Sequence, residues 1–285
     1  MIKKLSQSDI KLILKSRKPD SNKETYGHAL LVVGSKGKMG AAAIAARACL
    51  RSGVGLLTVN IPSEERSILQ ISIPEAMIID RESNEIDYPF FSAIGIGSGL
   101  GISKETQEII IKLLGDYKHP MVIDADALNI ISSNKKLLDI MPKGMILTPH
   151  SKEFDRLFGH HISTNERIKS AIKKAKEMRC IIVLKGHKTI ITNGIETFQN
   201  TTGNAGLAKG GSGDALTGMI TAFLASNYTP FESAKLGVYL HGFAADYTLK
   251  KQSMESMLIT DIIENIGYSF KACLKNNQVP TDFCI

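Results

Sequence analysis

The sequence predicts an α/β fold of three layers, α/β/α, around a mainly parallel sheet, and three observations predict it. Short apolar runs of strand length recur along the chain, helical patterns separate them, and polar or glycine-rich residues follow each run directly. Uninterrupted apolar strands belong to sheets covered on both faces. The first is "HALLVVGS", His28 to Ser35, which "KGKMGAAAIAARACLRSGVG" joins to "LLTVNIP" as a βαβ unit. The alanines between Gly40 and Arg51 make a helix with small side chains, suited to close packing on the sheet or in a subunit interface. Further strands are expected at Ala76–Ile79, Ala93–Gly97, Met121–Asp124 and Met145–Thr148, with helices at Lys104–Leu114 and Asp126–Ile140. A charged helix, Asn165–Met178, then leads into "CIIVLKGHKTIITNGIETFQN", whose turns separate short antiparallel strands. Helices at about Gly213–Ser226, Phe231–Lys250 and Thr260–Leu274 close the chain.

A chain of 285 residues, 43% of them hydrophobic, buries a substantial core. No repeat, low-complexity run or linker marks a boundary, so one domain over residues 1–285 is expected. The net charge of +7 gathers locally at Lys15–Lys18 and Lys169–Lys176. Both clusters alternate with apolar residues at helical spacing and read as solvated helix faces, with no aromatic-interleaved basic motif for nucleic acid. Cys49, Cys180, Cys273 and Cys284 are widely spaced and form neither a metal nor a redox motif, which fits a reduced, cytoplasmic setting. The first residues lack the apolar centre of a signal peptide, and no run approaches the roughly 18 apolar residues of a membrane span.

The stretch with most chemical content is "NAGLAKGGSGDALTGMITAFLA", Asn204 to Ala225. Gly206, Gly210, Gly211 and Gly213 allow positive φ and leave amide N–H groups uncovered, and a helical pattern starts at Ala215. A loop that opens a helix in this way suits an anion such as phosphate. Asp214 then stands where a second negative charge would repel the ligand. Other loops follow strands and so share the carboxyl edge of the sheet, where ligands of open α/β sheets bind. They are "GSKGKMGA", "GIGSGLG", "DADALN", "TPH" and "KGHKT".

Taken together, "YGHALLVVGSKGKMGAAAIAARACLRSGVGLLTV", "GIGSGLG", "VIDADALN", "ILTPHSKEF", "VLKGHKT" and "GNAGLAKGGSGDALTGMI" resemble the ADP- or ATP-dependent NAD(P)H-hydrate dehydratases of the ribokinase-like superfamily. The match runs in order from about Tyr26 to Tyr247. The short run before His28 leaves no space for the epimerase domain fused to some relatives. The chain departs from the usual family residues around the double glycine, where Lys209 stands beside the phosphate loop and bears on nucleotide preference.

The resemblance implies repair of hydrated NADH or NADPH, with phosphoryl transfer from ADP (or ATP) to the ring hydroxyl and loss of phosphate, ADP yielding AMP and phosphate. It implies Asp214 as the base that takes the hydroxyl proton, with the structural alternative of a helix N-cap. Ala41, Gly99, Gly101, His150 and Asp214 would contact the hydrated dinucleotide; for His150 a capping or core role is the alternative. Lys185, Gly186, His187, Lys188 and Thr189 would bind the adenine nucleotide together with Gly211, Ser212 and Gly213, unless the first segment is a polar turn. Mg²⁺ is an expected cofactor, for which Asp124, Asp126 and Glu153 are weak candidates; Asp126 could equally cap its helix, and Asn129 is a lesser candidate. His160 and His161 read as a solvated loop. A homo-oligomer, tetrameric in related bacterial proteins, is implied. The alternatives are a ribokinase-like kinase for a small alcohol of the hydroxymethylpyrimidine or hydroxyethylthiazole type, and a nucleotide-binding protein without catalysis.

Overall fold

A computed structural model describes residues 1–83 and 86–274. The chain opens with β1 (Lys3–Leu5) and α1 (Gln7–Ile13), followed by β2 (His28–Val32), α2 (Met39–Arg51), β3 (Leu56–Ile61), α3 (Arg66–Ser72) and β4 (Met77–Asp80). Next come β5 (Ala93–Ile96), α4 (Lys104–Asp116), β6 (Met121–Ile123), α5 (Ala125–Ser133), β7 (Ile146–Leu147), α6 (Ser151–Phe158) and α7 (Thr164–Met178). The last part holds β8 (Ile181–Leu184), β9 (Ile190–Thr192), β10 (Thr197–Asn200), α8 (Ser212–Ala225), α9 (Pro230–Thr248), α10 (Ile259–Glu264) and α11 (Ile266–Cys273).

The ten strands form one sheet in the order β1-β10-β9-β8-β7-β6-β5-β2-β3-β4. Every pairing is parallel except the two made by β9, which is antiparallel to both β8 and β10. The antiparallel region expected after Cys180 thus reduces to this one reversed strand. Alternate residues of β2 show how the layers arise: Ala29 and Leu31 face one apolar cluster, Leu30 and Val32 the other. The first cluster is closed by α2, α8 and α9, the second by α4, α5 and α6. A three-layer α/β/α fold results, as the uninterrupted apolar strands require.

Helix α8 is buried from Ala215 to Ala225 and packs on β2, β5 and β6 beneath α2 and α9. Its contact with α2 is set by Gly218, where an added Cβ would stand 2.1 Å from the Ala45 carbonyl oxygen. The alanine-rich face of α2 is spent on that contact, with Ala42, Ala45, Ala46 and Ala48 all buried inside the chain. Of the two uses open to this helix, the structure shows packing within the layer.

Several expected elements are altered. β1, α1 and α3 lie outside the strong apolar runs and were not expected. The helix expected over Asp126–Ile140 stops at Ser133, because Asn134 leaves the helical region and a 3₁₀ turn, Lys135–Leu138, follows. The closing helix is broken at Asn265, whose amide donates to Thr248 Oγ1 and Asp261 O, both at 2.9 Å. Lys15–Lys18 is irregular, not helical; Lys15 and Arg17 lie over the rings of Tyr228 and Tyr26. Lys169–Lys176 is the expected solvated helix face, with Lys173 and Lys174 paired to Glu177. Cys49, Cys180 and Cys273 are buried free thiols, Cys284 lies outside the described residues, and no described helix is long and apolar enough to cross a membrane.

Gly218→Val should lower stability by at least about 2 kcal/mol through overpacking of the α2–α8 contact, read as a lower urea midpoint at unchanged m.

Candidate active site

The strand order reverses beside β2. Strands β3 and β4 extend the sheet to one side, whereas β5 to β8 extend it to the other, so the loops after β2 and β5 diverge and open a crevice. Those loops are tied together at its floor: Gly34 N–H donates to Ser98 O and Ser35 Oγ to Gly99 O, both at 2.8 Å. A Cβ on Gly99 would lie 2.8 Å from the Cβ of Ala41, so each of these small residues makes space for the other. Gly101 N–H donates to Asp126 Oδ2 at 2.8 Å. Asp126 therefore holds the glycine loop and caps no helix, a correction to one of its two expected uses. Arg81, unmarked by any motif, sits behind the β2 loop and donates to the carbonyls of Val33 and Gly34, each at 2.6 Å, and of Asn60 at 2.7 Å.

At the centre is a buried ion pair. Lys185 Nζ donates to Asp124 Oδ1 at 2.6 Å, and Thr148 and Thr217 hydroxyls donate to Asp124 Oδ1 and Oδ2 at 2.7 and 3.0 Å. Glu153 Oε2 lies 3.9 Å from the same ammonium. Burial alone would depress Lys185, but Asp124 and Glu153 outweigh it and hold the ammonium above its ordinary pKa. Above the pair, the chain enters α8 through Gly211, whose φ of 93° is left-handed. Gly206, Gly210 and Gly213 adopt no positive φ, and a Cβ on Gly213 would stand in ordinary contact with Lys185 Nζ at 3.4 Å and Asp124 Oδ2 at 3.5 Å. The first-turn N–H groups of α8 thus lie over a lysine, a fitting arrangement for phosphate.

Asp214 occupies that first turn, while Gly211 is the N-cap residue, so Asp214 is not the cap. Burial raises its pKa above the ordinary aspartate value, and Asp124 adds to the rise; nearby Ser98 and Lys185 oppose it. A carboxylate made more basic by a dry, negative surrounding is suited to accept a proton. Lys209, beside the loop, is turned away, its ammonium held by the Glu255 and Met257 carbonyls at 2.6 Å each.

A cavity of about 440 Å³ runs from this helix start between α9 and the β8–β9 turn. Lys185, Gly186, His187, Thr189, Ser212 and Gly213 of the expected nucleotide set line it, and Gly211 does not. Lys188 is exposed and lies outside the lining. Its remaining wall, including Asn204, Leu207, Leu216, Val238 and His241, was not anticipated; the last three sit in helical apolar runs that read as core. A second cleft of about 380 Å³ is flanked by Lys38, Gly101, Asp126, Asn129 and Arg156.

His150 begins α6. Its Nδ1 accepts the N–H groups of Lys152 and Glu153 at 3.1 and 3.3 Å, while Glu153 Oε2 accepts the His150 N–H at 2.8 Å. The structural alternative, capping, is thus present. Burial, with Lys185 and Arg156, lowers the His150 pKa against the pull of Glu153, in keeping with a neutral ring whose Nδ1 accepts. His161 is not solvated as expected, since it lies 2.9 Å from Asp155 Oδ1. Among the described residues no group of three or more His, Cys, Asp or Glu side chains is placed to hold a metal. Asp124 and Glu153 are committed to Lys185 and to the α6 cap, so a Mg²⁺ ion fits here only as one carried on phosphates with its own waters.

A family model described as NAD(P)H-hydrate dehydratase matches residues 29–267. The chain belongs to this family. It is 36% identical over 262 residues, 90% of this chain and 92% of the relative, to the ADP-dependent (S)-NAD(P)H-hydrate dehydratase of Staphylococcus aureus. To the bifunctional NAD(P)H-hydrate repair enzyme of Moorella thermoacetica it is 33% identical over 272 residues, 90% of this chain; it spans 51% of that relative's length. The crystal structure of the Bacillus subtilis ADP/ATP-dependent NAD(P)H-hydrate dehydratase, co-crystallised with ATP/Mg²⁺, superposes with a TM-score of 0.85 at 29% identity, covering 95% of this chain and 99% of that one. This agrees with the ribokinase-like fold and the enzyme family that the motifs implied.

Lys185→Ala should leave Asp124 and Glu153 buried without their cation and cost roughly 3–5 kcal/mol, measured by chemical unfolding.

Proposed function

We propose that this chain is an ADP-dependent (S)-NAD(P)H-hydrate dehydratase, which restores hydrated NADH or NADPH to the normal cofactor. The observation that carries the reading is the placement of Asp214 in the first turn of α8, next to Ser212 and Gly213, which line the cavity. A hydroxide leaving group makes direct dehydration slow, and phosphorylation removes that obstacle. The adenine nucleotide lies in the 440 Å³ cavity, its phosphates against Lys185, Ser212 and Gly213. The hydrated ring enters at the crevice beside Ala41 and Gly99, with the rest of the dinucleotide towards Gly101 and His150.

Asp214 takes the proton of the ring hydroxyl as that oxygen attacks the terminal phosphorus of ADP. The P–O bond to AMP breaks, and the α8 N–H groups with Lys185 stabilise the charge on the transferring group. The ring nitrogen lone pair then expels phosphate, and the neighbouring carbon gives up a proton to restore the double bond. ADP and hydrated cofactor become AMP, phosphate, a proton and the reduced cofactor, so atoms and charge balance. Mg²⁺ on the nucleotide would neutralise phosphate charge, with Asp126 the carboxylate left to hold its waters. The reading also takes the protein as a homo-oligomer in a reducing, cytoplasmic setting; sedimentation would measure the first.

Recovery of near-ultraviolet absorbance by hydrated NADH or NADPH, with ADP, ATP or no nucleotide, tests the proposal. Recovery should require a nucleotide and fall at least about 10²-fold in Asp214→Asn. A stable phosphorylated product from a small alcohol, with no recovery, would establish the kinase instead. Because Asp214 must be ionised, kcat/KM should rise with pH through a pKa above the ordinary aspartate range. The same raised pKa means that stability present at low pH is lost as Asp214 ionises in the fold. Asp214→Asn should therefore melt roughly 1–3 °C above the parent at neutral pH while being inactive.

A further inference from the structure

Among the side chains on the wall of the 440 Å³ cavity that the chemistry above does not use, one carries an unpaired buried nitrogen. His241 on α9 is 5% exposed, and its Nε2 is buried without a hydrogen-bond partner. Among the described residues with such an unpaired buried side-chain atom, it alone belongs to this cavity wall. An unmade bond on a buried nitrogen costs stability, so its retention at a cavity wall points to a partner that arrives with the ligand.

The surroundings say which part of the ligand. Burial holds His241 down to about 4, so its ring is uncharged at neutral pH and offers hydrogen bonding without neutralising phosphate. The phosphate end is already supplied by Lys185, Ser212 and Gly213, from β8 and α8. His241 belongs instead to a stretch of wall with Val238, one turn earlier on α9, and with Leu207 and Leu216. Apolar side chains around an unpaired ring nitrogen, with Asn200, Thr202 and Asn204 on the same wall, form an environment that takes a nucleobase and reads its edge.

We propose that His241 is a base-reading residue of the nucleotide site, its Nε2 hydrogen-bonded to the edge of the purine. The inference rests on the cavity being the nucleotide site, and the bond runs either from the exocyclic amine to Nε2 or from Nε2–H to a ring nitrogen.

Calorimetric titration of the full chain with ADP, inorganic pyrophosphate and 2′-deoxy-ADP separates the outcomes. In His241→Leu, ADP affinity should fall about tenfold, pyrophosphate affinity should hold, and KM for ADP should rise with kcat and the KM for hydrate unchanged. His241→Gln should recover part of the loss. In the unsubstituted protein, the His241 ¹⁵N resonance should move with ADP and stay still with pyrophosphate, a readout that needs no variant. Equal weakening of ADP and pyrophosphate, or ADP affinity within twofold of the parent in both variants, would overturn the assignment. So would a penalty against 2′-deoxy-ADP that His241→Leu removes, since the contact would then be to ribose. A parent protein that binds neither ADP nor pyrophosphate would instead sink the nucleotide-site reading itself.

Discussion

The close seating of α8 is the constraint on which the site depends. The helix is wrapped by the sheet below and by α2 and α9 above, and Gly218 lets the α2 backbone approach to contact distance. A helix packed from Ala215 to Ala225 anchors the first turn that precedes them. Its N–H groups and Asp214 are therefore fixed over the ends of β5 and β6, where Ser98 and Asp124 lie. The position of its first turn is set by packing along the rest of the same rod.

Around that fixed point, two acidic groups are given opposite tasks by their partners. Asp124 is 1% exposed yet fully bonded, to Lys185, Thr148 and Thr217, and its charge is compensated. Asp214 has the burial and the acidic neighbour without, among the described residues, an ion pair of its own, and its pKa moves up. Asp124 thus holds Lys185 beneath the start of α8 and simultaneously raises the pKa of Asp214. One carboxylate is neutralised by its partners and the other is not, a difference produced by environment alone. A similar economy holds at the crevice, where Asp126 fastens the glycine loop and leaves Ala41 and Gly99 to shape the opening.

Much of this was legible in local sequence. Uninterrupted apolar strands gave the parallel sheet, and the glycines before an apolar helix gave the loop that opens α8 with Asp214 in its first turn. The residues at strand ends marked the loops that meet. The misses have local causes too. Asn134 and Asn265 end helices whose apolar periodicity continues past them, and the three-residue β1 is too short to show a period. His150 was read for binding, and its cap was visible only as an alternative because a histidine rarely fills the role of Ser or Asp.

The sequence by itself determined the kinds of element, their order, and which loops stand at carboxyl ends of strands, since these follow from periodicity and backbone chemistry within a few residues. Tertiary structure decided which of those loops face one another. It placed Lys185 on Asp124, 61 residues earlier in the chain, and so set the charge of the site. It also turned His241, Val238 and Leu216 out of apparent core and into a cavity wall. An apolar helix face has the same pattern whether it meets another helix or a ligand, and only packing distinguishes the two.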